Sequence, residues 1–171
     1  MFLSTLSVAL APQAHAGCKV EAKTDPFTGV SQRAVGKSFG HYIWGKVEYV
    51  SSTAGTTLAF PLIAISESNV GIEGGSTAAL ALKDGTVVEL LVAANAAPVT
   101  DVVGSSIIVT RRDISGPVTD AQLGQLAASP TTAIKVTMGG AEKVFETNNG
   151  IWTKIAKATQ ANAACMMANK I

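Results

Sequence analysis

The chain has little of what binding and catalytic sites are usually built from. Its 171 residues include two histidines and two cysteines, with aromatics at 5% and charged residues at 15%. Lys and Arg number 13 against 12 Asp and Glu, a formal net charge of +1. A nucleic-acid binder gathers a basic excess into a patch or stripe. Here the basic residues are scattered, and Arg111-Arg112 is the one adjacent pair. Scarce aromatics also remove the platform on which bases stack. Nucleic acid is therefore not an expected partner. No uncharged apolar run reaches the length of a membrane-spanning helix, and no repeat, low-complexity tract or interdomain linker is present. What the chain does have is apolar residues, 47% of the total. With so few charges, that is the opposite of a disordered composition and enough for a buried core.

Residues 2–11 form an apolar stretch of secretory-leader length, followed by Pro12 and then Ala14-His15-Ala16. That small-x-small ending is what signal peptidase requires. Residues 1–16 are accordingly read as a signal peptide and 17–171 as a single β-rich domain, periplasmic or secreted. No Lys or Arg precedes the stretch, so either the chain starts upstream or the leader is atypical. The alternative is an ordinary N-terminal element buried in the domain. Ala16-Gly17-Cys18 also fits the end of a lipobox, but His15 stands where an aliphatic residue is normal.

Cys18 and Cys165 lie near the two ends of the exported chain. An even count in an oxidising compartment predicts a disulfide between them, tying the first strand to the last helix. The chain-entropy model values so large a closed loop at roughly 5 kcal/mol. The competing readings are two buried free thiols, or a lipidated Cys18 that leaves Cys165 alone. Neither cysteine sits in a Cys-x-x-Cys pair, so the bridge is read as structural and not catalytic.

Along the chain, residues 19–24 alternate as a first strand. Asp25-Pro26-Phe27-Thr28-Gly29 then carries turn chemistry, and residues 30–35 make a second strand. Residues 39–50 are the longest alternation. Phe39, His41, Ile43, Val47 and Tyr49 share one face, and Tyr42, Trp44, Lys46 and Glu48 the other. Gly45 interrupts it as a bulge or a close approach. Residues 58–65 read as a strand covered on both faces, with Pro61 at an edge or bulge. Strands at 77–82 and 86–92 flank Lys83-Asp84-Gly85, whose Asp-Gly suits a two-residue type I′ turn. A small-residue loop over 93–100 leads to a strand at 106–110. Thr119 and Gln122 form a capping box for a short helix that stops at Ser129-Pro130. Strands 131–138 and 141–146 meet at a tight Gly139-Gly140 turn. A terminal helix over 151–168 is capped by Asn148 or Asn149 and buries Ile151, Ile155, Thr159, Asn162 or Ala163, and Met166.

Eight or nine short strands with a short helix and a C-terminal helix predict a mainly β (α+β) fold of antiparallel sheets. A β-sandwich is the first choice; a half-barrel wrapped on the last helix is the second. The layout resembles a loose group of small exported bacterial β-rich proteins of uncharacterised function. The matching residues are Asp25, Phe27, Thr28 and Gly29, then Leu123, Leu126, Pro130, Ile134 and Val136. The resemblance implies the fold and a structural role for these motifs, with no activity and no catalytic residues.

Chemistry is hard to find. Once the leader is removed, His41 is the one histidine left, and a core position between Phe39 and Ile43 is favoured over a catalytic base. One histidine cannot build a multi-histidine metal site. No metal or cofactor is expected. There is no Gly-x-Ser-x-Gly elbow, Gly104-Ser105-Ser106 being the nearest approach. Gly71-Ile72-Glu73-Gly74-Gly75 lacks the ending of a phosphate loop. Tyr42, Trp44 and Lys46 make the best candidate binding patch, aromatics on a polar face being a contact signature. Arg111 and Arg112 are a weaker one, with a solvated strand end as the default. Two functions remain open. One is a non-enzymatic structural or binding module of the cell envelope, with a protein or small-ligand partner; the other is a small secreted hydrolase using His41.

Overall fold

The computed structural model describes residues 18–39, 45–65, 68–104, 106–148 and 150–169. The expected leader over residues 1–16, and His41, Tyr42 and Trp44, thus lie outside the described residues. Among the described residues, ten strands and two helices follow in the order β1 (Glu21–Thr24), β2 (Ser31–Phe39), β3 (Gly45–Ser52), β4 (Gly55–Ala64), β5 (Thr77–Leu82), β6 (Val87–Leu91), β7 (Val99–Val103), β8 (Ile107–Val118), α1 (Asp120–Ala128), β9 (Thr131–Met138), β10 (Ala141–Glu146) and α2 (Gly150–Ala168). One sheet has the order β1-β2-β3-β4-β8-β7 and the other β10-β9-β5-β6. The first curls into an antiparallel half-barrel. α2 lies against β2, β3 and β4 of that sheet and against β9 of the other, and α1 packs on α2. The expected mainly β fold with a short and a C-terminal helix is what forms, in its half-barrel version.

One buried cluster runs through both sheets and both helices, including Tyr49, Leu58, Phe60, Leu80, Leu90, Ile114, Leu126, Ile134 and Met166. Each fully buried side chain of this size is worth roughly 1.5–3 kcal/mol. Polar links fix α2 on β3. The hydroxyl of Tyr49 donates to the carbonyl of Thr159 at 3.1 Å, and Asn162 Nδ2 donates to the carbonyl of Val47 at 3.0 Å. The ladder between β3 and β4 ends at Glu48 opposite Ala59, so Asn162 serves a carbonyl just past that ladder. Arg33 Nη1 reaches the carbonyl of Asn169 at 2.8 Å, a cation at the negative end of α2.

Several expectations are met in detail. Asp25 Oδ1 accepts from the amide of Phe27 at 2.8 Å, and Gly29 takes φ +70°. The Thr119–Gln122 capping box is complete. Pro61 sits two residues beyond Ala59, the last residue of β4 paired with β3, with a strand on one side only, where its missing N–H costs no ladder bond. Gly45 is a close approach: a Cβ there would lie 2.7 Å from Pro61 Cγ.

Other expectations are corrected. The alternation over 39–50 belongs to two strands, with Phe39 opposite Gly45 in the β2–β3 ladder. Two arms of a hairpin can keep one period-two pattern, so the pattern hid the reversal. The loop read over 93–100 ends at residue 98, where β7 begins, and the strand read over 106–110 is the first part of the twelve-residue β8. Gly116 and Pro117 disguised the far half of β8. Gly116 is there because the backbone of β6 crosses it: a Cβ would strike the carbonyl oxygen of Leu91 and lie 2.8 Å from Leu90 Cγ. Nearby, Ala93 N donates to the Ser115 carbonyl at 2.7 Å. The Lys83-Asp84-Gly85 connection is not type I′, because Gly85 alone has positive φ and its amide bonds back to Leu82. That is the three-residue form with a glycine bulge. Gly139-Gly140, with φ +57° and +77°, has the positive angles of a type I′ turn. Asn148 Nδ2 donates to Glu146 Oε2 at 2.8 Å, and Asn149, the other expected cap of α2, lies outside the described residues.

Candidate functional site

The sulfurs of Cys18 and Cys165 are joined, with their Cα atoms 5.7 Å apart. The bridge spans 147 positions and brings the chain just before β1 against the last turns of α2. A sulfur held in this bond is not free for a lipid thioether. The expected disulfide is therefore present, and none of the helices of the described residues is long and apolar enough to cross a membrane.

Beside the bridge, β2 and α2 diverge to leave a cleft of about 690 Å³. Its α2 wall is Lys157, Gln160, Ala161 and Ala164, spaced to fall on one flank of the helix. Its strand wall is Val35, Gly36 and Lys37. Val35 and Lys37 stand opposite Tyr49 and Val47, the two residues bonded to α2, and so share the face on which the helix lies. Cys18 and Lys19 close one end and Ala127 of α1 another, where Gln160 Nε2 meets the Ala127 carbonyl at 3.4 Å. Val35 and Cys165 are buried, and the three lysines are exposed.

The electrostatics of the cleft are one-sided. Lys19, Lys37 and Lys157 line it, and among the described residues no carboxylate does. Lys19 Nζ is 3.5 Å from Glu21 Oε1 on an exposed surface. Among the described residues, Lys37 and Lys157 have no ion-pair partner. Thirteen basic residues less these three leaves ten against twelve acidic ones, so the rest of the chain is net negative. Lys46 is not in the lining: its Cε lies 2.5 Å from where a Gly36 Cβ would be, and its Nζ is paired with Glu48.

Among the described candidates read from sequence, Lys46 stands apart from Arg111 and Arg112. Of the Tyr42, Trp44 and Lys46 patch, only Lys46 is described. β4 separates its strand from the one carrying Arg111 and Arg112. Arg111 lies beside Asp113, Nε to Oδ2 at 3.2 Å. Arg112 is not at a solvated strand end. It is 1% exposed, and it donates from Nε to the Val70 carbonyl at 2.6 Å and from Nη2 to the Ser68 carbonyl at 3.1 Å. It pins the loop between β4 and β5. Burial pulls its guanidinium below the ordinary value, though not out of the charged state. Burial also pushes the Tyr49 phenol far above its ordinary value.

A second, shallower hollow of about 660 Å³ lies on the open face of the four-stranded sheet, floored by Ala79, Ala81 and Ala133. Its lysine, Lys135, is neutralised by Glu142 at 3.0 Å. Among the described residues, no group of three His, Cys, Asp or Glu gathers to hold a metal. The lysine cleft was missed in sequence because its walls come from residues far apart in the chain. The disulfide offered the one available signal, since pairing Cys18 with Cys165 already places Lys19 beside the helix that carries Lys157.

No protein-family model, curated protein or solved structure matches the chain.

Proposed function

We propose that the chain is exported to the periplasm or secreted and acts there as a non-enzymatic binding module of the cell envelope, taking a small ligand in the cleft between β2 and α2. The observation that carries this reading is the cleft itself. Its volume lies in the range of small-molecule sites, and its lining combines the buried Val35 and Cys165 with polar and charged groups. Its lining pairs no acid with a base and no nucleophile with an activating group, which suits capture better than turnover. Export is supported by the apolar stretch and Ala14-His15-Ala16 ending of the leader, and by a disulfide of a kind that persists in oxidising compartments.

Expression of the full chain in a bacterial host, followed by fractionation and intact-mass measurement, tests the reading. The expected product is outside the cytoplasm and lacks residues 1–16. A full-length product retained in the cytoplasm would sink the export claim. A hydrolytic activity abolished by His41→Ala would sink the non-enzymatic one.

A further inference from the structure

We propose that the ligand of this cleft is a small oxyanion, a carboxylate or phosphate carried on a short apolar body, with its head among Lys19, Lys37 and Lys157 and its tail against Val35, Ala161 and the Cys18–Cys165 bridge. The inference rests on the preceding reading that the cleft is a ligand site, and adds the chemical class.

Three lysines line one cleft whose described lining contains no carboxylate, in a chain whose remaining charge is negative. Two of the three have no ion-pair partner among the described residues. Like charges gathered in this way repel one another until an anion enters, so the field favours an anionic head and opposes a cationic one. The charges closest by are already engaged: Glu21 with Lys19 and the Lys46–Glu48 pair across Gly36. Neither places a carboxylate in the lining. Between the lysines the lining is apolar at the buried Val35 and Cys165, the half-buried Ala127 and Ala164 and the exposed Ala161, with Asn162 a buried polar member whose Nδ2 is already bonded to the Val47 carbonyl. A bare ion would leave that surface wet. The recess between strand and helix also suits a free amphiphile better than a bilayer surface, which needs a projecting basic face.

The test is an amide chemical-shift titration of the oxidised protein with octanoate, octanol and octyltrimethylammonium, each below its micelle concentration. Lys37→Gln and Lys157→Gln are titrated alongside; both positions are exposed, so neither substitution threatens folding. Octanoate is expected to move the Val35, Ala161 and Ala164 amides, and octyltrimethylammonium to leave them still. Each variant should weaken octanoate by about two- to fivefold, the size of an exposed ion pair, and added salt should weaken it further. Equal binding of all three probes, or unchanged octanoate affinity in the variants, leaves a ligand cleft but overturns the anion claim. No movement of cleft amides with any probe overturns the cleft reading as well. Binding to phosphatidylglycerol vesicles without octanoate binding overturns the proposal in favour of a membrane surface.

Discussion

Replacing Gly116 with alanine tests how the two sheets meet. A Cβ at this position collides with the carbonyl oxygen of Leu91 and sits 2.8 Å from Leu90 Cγ. A side-chain end can rotate away from such a contact, whereas a strand carbonyl cannot, so β6 must move off β8. Overpacking of this kind costs about 1–3 kcal/mol, and a backbone obstacle puts this case at the upper end. Alanine also reduces the freedom of the unfolded chain and returns roughly 0.4–1 kcal/mol. The expected net loss is about 2 kcal/mol. Gly124 in α1 provides the control, because a Cβ there would meet only Met167 Cε at 3.9 Å. In a helix the same substitution stabilises by roughly 0.5–1 kcal/mol. Urea unfolding of the two variants should therefore place them about 3 kcal/mol apart with opposite signs relative to the parent, at unchanged denaturant slope. Equal stabilities would mean that β6 and β8 do not touch at Gly116, and the packing of the sheets described above would be wrong.

Reduction of the Cys18–Cys165 bridge, or its replacement by two alanines, should cost up to about 5 kcal/mol for so long a closed loop; a thermal melt with and without reductant reads this, and identical melting temperatures would contradict it. Arg112→Ala leaves the Val70 and Ser68 carbonyls without their buried donor and should cost about 3 kcal/mol. The early loss should appear as faster hydrogen exchange across residues 68–72. Tyr49, whose folded pKa is raised, contributes stability that is fully present below the unfolded phenol value near 10 and lost as pH rises above it. Absorbance of ionised tyrosine should accordingly show one of the two tyrosines titrating only as the protein unfolds in alkali. Asp25 and Asp84, held below the ordinary carboxylate range first by the amides of Phe27 and Thr86, act in the opposite direction. Their contribution is present above pH 4 or so and fades in acid, and Asp84→Asn should flatten that part of the acid stability profile.

Local chemistry was legible in the sequence wherever neighbours alone decide the structure. The Asp25 turn, the Thr119–Gln122 cap and the Gly139-Gly140 hairpin rest on side chains and angles within a few residues, and all three form. Where a distant partner decides, reading failed. Asp84 keeps a negative φ in a turn whose amides bond outward, Asp84 N to the Ser129 hydroxyl at 3.2 Å and Lys83 N to the Pro130 carbonyl at 2.9 Å. Arg112 looked solvated beside Arg111 because neither residue reveals which face of β8 is inside; its partners arrive from the loop before β5. The cleft was invisible for the same reason, with Lys19, Lys37 and Lys157 drawn together only by the bridge and by the docking of α2 on β2 and β3.

The account depends most on the bond between the two ends of the domain, since it carries both the oxidising compartment and one end of the cleft. A peptide map of the folded protein, digested after thiol blocking and without reductant, examines that bond directly. One peptide pair containing Cys18 and Cys165, linked and free of blocking agent, is the predicted result. Blocking agent on both cysteines of the folded protein would contradict it.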